Sequence, residues 1–291
     1  MPGGNGVSVP ALAEFSTAFK PGKTRWSDLR TRVASAAILA PAALFCIWWG
    51  GSPYDGMVIL GAAGLAWEWS AMCGTPAGRR PGVFAAATIV MGTIAAAFGQ
   101  METAFIVFAG GAATTAVLAR RSRHRWSLTA GIPYAGIGAV ALLWLRADAA
   151  VGLINLLFLL LLVWASDIGA YATGRLLGGP KLAPRISPGK TWSGAAGGLM
   201  AAVAAGLLVA HFSHHLPQAW RAGVIAAILG IVAQGGDLFE SLIKRQFGVK
   251  DSGNLIPGHG GLLDRVDALL IAAPVAALLA LIAGRGVVLW Q

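Results

Sequence analysis

Five of the chain's 12 acidic residues, Asp237, Glu240, Asp251, Asp264 and Asp267, fall within about thirty positions of one another near the end of the sequence. Lys244, Arg245, Lys250 and Arg265 are interleaved with them, and Gly258, His259, Gly260 and Gly261 sit in their midst. Carboxylates alternating with cations suit a divalent metal that holds a polyanion, because hard cations take oxygen ligands from protein and phosphate alike. The glycines leave backbone N–H groups open to phosphate oxygens. Asp264 and Asp267 are three apart at the start of an apolar run, so on a helix they share a face. A solvated loop with surface ion pairs is the plain alternative, but these residue types crowd together where the rest of the chain is apolar.

A second polar segment lies upstream. Between 174 and 192 it combines Arg175, Lys181, Arg185 and Lys190 with Ser187 and Thr191, and cations and hydroxyls at a helix entry suit phosphate. Gly189-Lys190-Thr191 imitates the end of a P-loop, but the first glycine of that motif is missing at its spacing and no strand precedes it. Asp167, in Ser166-Asp-Ile-Gly-Ala-Tyr171, and Asp237, in Gln234-Gly-Gly-Asp237, end apolar runs at the depth of these loops and could converge on one site. Glu68, between Trp67 and Trp69, is either part of that site or an internal hydrogen-bond acceptor. His211, His214 and His215 have no acidic neighbour and read as a solvated loop.

The elements that position these residues are membrane helices. Hydrophobic residues make up 56% of the chain and charged residues 12%, about half the share usual in a soluble domain. The apolar runs are far longer than a barrel strand, so the fold class is all-α and polytopic. Candidate spans lie near 33–49, 56–73, 83–98, 102–119, 129–145, 149–173, 193–211, 219–240 and 266–284, about nine helices in all. Residues 1–32 form a polar, basic tail, 33–145 the N-terminal helices, and 146–291 a catalytic region with loops at 174–192 and 241–265. No small-residue cleavage site follows Trp49, so the first run reads as a retained span. Gly110-Gly111 and Gly197-Gly198 permit close helix packing. Cys46 and Cys73 lie in apolar runs and imply packing, not a disulfide framework.

Charge orients the spans. With the N-terminus inside, the inside segments collect Lys20, Lys23, Arg25, Arg30, Arg32, Arg79, Arg80, Arg120, Arg121, Arg123, Arg125, Arg175, Lys181, Arg185, Lys190, Lys244, Arg245, Lys250 and Arg265. Only Arg146, Arg221 and Arg285 fall outside, which is three of the 22 basic residues. The expected topology is therefore N-terminus cytoplasmic, C-terminus outside, with both polar segments facing the cytoplasm. The net charge of +10 belongs beside anionic lipid; aromatic-interleaved basic patches are absent, and no nucleic acid is expected.

Ser241 to Asp267 resembles the signature of the phosphatidate cytidylyltransferases, also called CDP-diacylglycerol synthases. The pattern runs Ser241-x-x-Lys244-Arg245, Lys250-Asp251, Pro257-x-His259-Gly260-Gly261 and Asp264-Arg265-x-Asp267, and extends upstream through Gln234 to Asp237, Ser166 to Tyr171, Gly174-Arg175 and Ser187 to Thr191. The resemblance covers the C-terminal half; the N-terminal spans match only in hydropathy. Gly189 stands where a lysine is common and Ser193 where a glutamate is common. The resemblance implies CTP and phosphatidic acid as substrates, CDP-diacylglycerol and pyrophosphate as products, and the cytoplasmic (inner) membrane of a bacterium as the location; it leaves a homodimer open.

The residues fit that reaction, because catalysis among anionic reactants is chiefly charge neutralisation and in-line positioning. Asp237 at the end of one span and Asp264 at the start of the next are expected to ligate a catalytic Mg²⁺, with Asp267 assisting and a second cation allowed. Lys244, Arg245, Lys250 and Arg265, with Arg175, Ser187, Lys190, Thr191, Asp251, Gly260 and Gly261, are expected to bind substrate. His259 is expected as a general base or a phosphate donor. A CDP-alcohol phosphotransferase is the alternative enzyme, but it needs an upstream Asp-Gly-x-x-Ala-Arg and aspartates four apart. A secondary transporter predicts repeated halves and mid-membrane charges, and a lipid-binding scaffold does not need the aspartates.

Overall fold

The computed structural model describes residues 25–74, 80–213, 218–284 and 286–291. Nine α-helices are found among them: α1 Arg25–Trp49, α2 Gly51–Met72, α3 Arg80–Ala97, α4 Met101–Leu118, α5 Arg125–Ala147, α6 Gly152–Leu177, α7 Trp192–Phe212, α8 Ala219–Gln246 and α9 Leu263–Ala283. The nine expected spans correspond to these helices one to one. Lys20, Lys23, Arg79, His214, His215 and Arg285 lie outside the described residues.

Eight of the helices are long and apolar enough to cross a membrane; α2 is the exception. Its 22 residues rise roughly 33 Å, about the thickness of a bilayer core. Tyr54, Asp55, Trp67, Glu68, Trp69 and Ser70 dilute its hydropathy. Two contacts nevertheless place its ends at opposite faces of the bundle. Tyr54 Oη donates to Leu142 O near the end of α5, while Glu68 meets the start of α9.

The apolar interior forms two clusters. One joins α2, α3, α4 and most of α5 with parts of α6 and α9; the other joins the end of α5 with α6, α7, α8 and α9. Helices α6 and α7 approach closely because they meet through glycine: a Cβ on Gly198 would lie 2.7 Å from Ser166 O, and one on Gly169 2.9 Å from Gly197 O. At the other expected small-residue contact only Gly111 is used, against Thr88; Gly110 faces open space. Helix α1 stands apart, with Ile47 its one buried residue among the side chains described. It is fixed at its ends, where Arg146 Nε donates to Ile47 O (2.9 Å) and Ser35 Oγ donates to Pro257 O (2.9 Å).

Between α6 and α7 the chain makes a two-stranded antiparallel hairpin, β1 Lys181–Ala183 and β2 Ser187–Thr191. It is an addition to the expected all-helical fold. Three prolines hide it in the sequence, yet Pro180 and Pro184 fall outside the strands, and a two-stranded ribbon has open edges where Pro188 needs no N–H. At the opposite face, residues 286–291 fold back over the bundle. Leu289 N donates to Asn155 Oδ1 (2.9 Å), and Trp290 packs on Phe158 at 4.7 Å between ring centroids.

Candidate active site

The polar ends of α1, α2, α6, α7, α8 and α9 meet at one face of the bundle, with the hairpin and loop 247–262 laid over them. A cavity of about 470 Å³ opens there. Asp167, Tyr171, Arg175, Lys190, Thr191 and Asp237 supply its polar lining, and Ala170, Gly174, Gly194 and Ala195 its floor of small residues. Helix α6 supplies Asp167 and Arg175 and α8 supplies Asp237, while β2 swings Lys190 over to Asp237, Nζ to Oδ2 2.6 Å. Gln234 fixes α8 against its neighbours by donating to Ser166 Oγ (3.3 Å) and Ala195 O (3.1 Å). The two polar segments of the sequence therefore do meet, through Lys190 and Asp237.

Asp267, half-buried on α9, and Asp167 both lie within electrostatic reach of Asp237. Carboxylates of two helices, α6 and α9, thus each neighbour the Asp237 carboxylate of α8. They do not form a closed ligand cage: among the described residues no group of three or more His, Cys, Asp or Glu is close enough to hold a metal ion.

Asp264 departs from the expected ligand set. Its Oδ1 accepts from Lys244 Nζ (2.8 Å) and Ser252 N (3.1 Å), and its Oδ2 from Ser252 N (3.0 Å) and Gly261 N (3.1 Å). The last bond resembles the acidic member of a capping box reaching back over a helix start. Lys244 lies between two carboxylates, 2.5 Å from Glu240 and 2.8 Å from Asp264, and is largely buried. Asp264 and Lys244 are thus engaged in holding α8, α9 and loop 247–262 together, and not in presenting free charge to a substrate.

Glu68 completes that joint. Leu262, the N-cap position of α9, has no side-chain cap of its own, and four N–H groups at a helix start need acceptors. Glu68 supplies them from α2: Oε1 accepts from Leu262 N (2.9 Å), and Oε2 from Leu263 N (2.8 Å) and Ser252 Oγ (3.2 Å). Of its two sequence readings, the internal acceptor is the one observed. Gly261 is required here, since a Cβ would lie 2.0 Å from Ser252 Oγ and 2.9 Å from carboxylate oxygens of both Asp264 and Glu68. Its N–H is held by Asp264, so it is not open to phosphate as expected. Gly260 adopts the left-handed φ of 86° that lets the loop turn into α9.

The remaining predicted residues divide by what they touch. Arg175 bonds Tyr171 Oη (2.9 Å) at the cavity wall. Thr191 caps α7 by accepting from Gly194 N (3.0 Å), a structural use of a hydroxyl expected at substrate. Arg245 donates to Ile186 O and Val249 O (both 3.2 Å), tethering the hairpin turn to α8. Arg265 donates twice to His259 O (3.1 and 2.5 Å). Lys250 and Asp251 are exposed on loop 247–262, and Ser187 begins β2. Ser193 donates to Gly178 O and bonds the Thr191 hydroxyl.

A helical membrane bundle with cations and carboxylates gathered at one polar face suits an integral membrane enzyme acting on phosphorylated substrates. Comparison with known proteins narrows the class: the chain belongs to the Cytidylyltransferase family, whose description matches residues 30–283. It is 44% identical over 248 residues to a phosphatidate cytidylyltransferase of Brucella suis, covering 85% of this chain and 91% of that one. It is also 50% identical over 127 residues to one from Haemophilus influenzae, covering 42% and 44% of the two chains. A Staphylococcus saprophyticus relative of the same name is 46% identical over 143 residues, or 49% and 54%.

Proposed function

We propose that this chain transfers the cytidylyl group of CTP to phosphatidic acid, giving CDP-diacylglycerol and pyrophosphate. The observation that carries the reading is the cavity in which Lys190, Arg175, Asp167 and Asp237 meet at the polar face of a helical bundle whose relatives bear that name. A phosphate oxygen of the lipid attacks the α-phosphorus of CTP in line with the departing pyrophosphate. Lys190 and Arg175 bind phosphate oxygens and offset their repulsion. The small-residue floor lets the substrate lie close to the backbones of α6 and α7.

The carboxylates fit a hard divalent cation, since Asp167, Asp237 and Asp267 offer only oxygen donors and have one neighbouring cation, Lys190, that pairs with any of them in the contacts above. Asp237, Asp267 and Asp167 are too far apart to enclose an ion by themselves, and they would hold Mg²⁺ together with phosphate oxygens of the substrate, in place of the set containing Asp264. When bound, the ion supplies charge neutralisation to the phosphates at the reacting centre. The excess of basic residues on the site's side of the bundle supports a site that faces the cytoplasm, where CTP is, from a bacterial inner membrane.

Purified protein in lipid nanodiscs, given phosphatidic acid, α-³²P-CTP and Mg²⁺, should form labelled CDP-diacylglycerol with one pyrophosphate released per turnover. No labelled liponucleotide would refute the assignment. Label transfer to an alcohol acceptor from CDP-diacylglycerol would favour the CDP-alcohol phosphotransferase reading instead.

A further inference from the structure

We infer that Ser35, on the first helix, is a positioning residue that holds His259 as the Nδ1–H tautomer and so presents Nε2 as a free acceptor; the role in turnover rests on the cytidylyl-transfer reading above. Ser35 Oγ lies 2.9 Å from Pro257 O, 3.1 Å from Arg32 O and 3.0 Å from His259 Nδ1. A hydroxyl has one proton and two acceptor lone pairs. Both carbonyls can only accept, so they compete for that proton. The ring nitrogen is the one neighbour of the three able to donate, and the arrangement is satisfied when Nδ1–H donates to Ser35 Oγ. In neutral imidazole the other nitrogen then carries the lone pair.

The rest of the loop gives the ring a fixed base. His259 N donates to Ile256 O (3.0 Å), Ile256 N donates to Gly260 O (3.0 Å), and Arg265 clamps His259 O from α9. Gly258 passes so close to α1 that a Cβ there would lie 2.9 Å from Arg32 Cγ and 3.1 Å from Arg32 N. The backbone of the Pro257–Gly261 turn is therefore set by α9 and α1 together, and the ring's rotation is set by Ser35. This gives the otherwise loosely packed α1 a specific task at the site.

The chemical consequence concerns the lipid phosphate. A phosphate monoester has its second pKa near 6, so a fraction still carries a proton at neutral pH. With the lipid phosphate bound against the Pro257–Gly261 turn, Nε2 takes that proton while the freed oxygen forms its bond to the α-phosphorus and the bond to pyrophosphate breaks. The proton ends on the imidazole, which releases it to solvent.

The test uses the full chain in nanodiscs, labelled with ¹⁵N-histidine, with His259→Gln identifying the His259 resonances. The expected wild-type pattern is protonated Nδ1 and unprotonated Nε2. Ser35→Ala should shift the pattern toward Nε2–H and lower kcat about ten- to a hundredfold, the scale of a small misplacement of a reacting group, with KM for CTP within about twofold. Ser35→Thr, which keeps the hydroxyl, should restore both. Wild-type His259 protonated at Nε2 would overturn the inference, and so would an unchanged ¹⁵N pattern in Ser35→Ala, whatever happens to kcat. The spectra do not depend on turnover, so a wild type with the expected tautomer but no liponucleotide product would refute the function and leave the tautomer assignment standing.

Discussion

Lys190 of the hairpin and Asp237 of α8 form an ion pair of 2.6 Å at the wall of the active-site cavity, although 47 residues separate them in sequence. Both are about a third exposed, so the pair contributes little to stability, as exposed ion pairs generally do. Its value is positional: it holds a cation and a carboxylate together where the reactants are anionic. Lys190→Ala and Asp237→Asn should each lower kcat/KM for CTP by about 10²–10³, the loss typical of removing one preorganised charge contact, with melting temperature nearly unchanged. A melting shift that accounts for the lost activity would make the pair structural.

Lys244 should behave in the opposite way. It neutralises Glu240 and Asp264 in a largely buried setting, and removing one partner of such a group leaves uncompensated charge at a cost of about 3–5 kcal/mol. Lys244→Met should therefore unfold at markedly lower temperature, and Glu240→Gln added to it should recover part of the loss. Lys244→Met with wild-type melting but weakened CTP binding would return Lys244 to the phosphate-binding set.

Glu68 gives a third test. Truncation to Ala orphans the N–H groups of Leu262 and Leu263, each worth about 1–3 kcal/mol when left unsatisfied. Glu68→Ala should lower the melting temperature and expose loop 247–262 to protease, while Glu68→Asp should be intermediate because its shorter chain reaches less well. Equal protease resistance in all three forms would show that α9 is capped by other means.

Charge gives the expected orientation of the bundle. With nineteen of 22 basic residues assigned to one side, a reporter fused after Gln291 should be external and one inserted at 120–124 cytoplasmic. Both reporters on one side would refute the nine-span alternation.

The helices were legible because lipid demands long apolar runs, and each of nine such runs became a helix. The charged residues were legible as a group but not in their individual roles. Asp237, Asp264 and Asp267 share one residue type and one neighbourhood, and only three-dimensional contacts distinguish Asp264, which accepts two backbone N–H groups and a lysine, from Asp237 at the cavity wall and from Asp267, which accepts from Ala268 N alone. The same holds for Lys244 against Lys190. Ser35 carried no signal, because a lone serine in an apolar helix is ordinary and the two partners outside its own helix are more than 220 residues away. The hairpin was hidden by its prolines, which count against strands only where an N–H is needed.

The difference among the aspartates leads to the prediction about metal. Asp237, Asp267 and Asp167 lie within electrostatic reach as carboxylates from three helices, and a divalent cation would offset the repulsion of gathering them. Asp264 has its oxygens occupied by Lys244, Ser252 and Gly261. Asparagine keeps the shape of aspartate but weakens metal binding, so Asp267→Asn and Asp167→Asn should each raise the Mg²⁺ concentration for half-maximal activity by about tenfold or more, a change worth about 1.4 kcal/mol of binding, with the fold intact. Asp264→Asn should instead lower the melting temperature and leave the Mg²⁺ dependence of the surviving activity unchanged. Titrating activity against Mg²⁺ for the three variants, beside their melting curves, separates the roles. If Asp264→Asn shifted the Mg²⁺ midpoint while Asp267→Asn did not, Asp264 would be the ligand after all, and the lysine bonded to it would have to move aside when the metal binds.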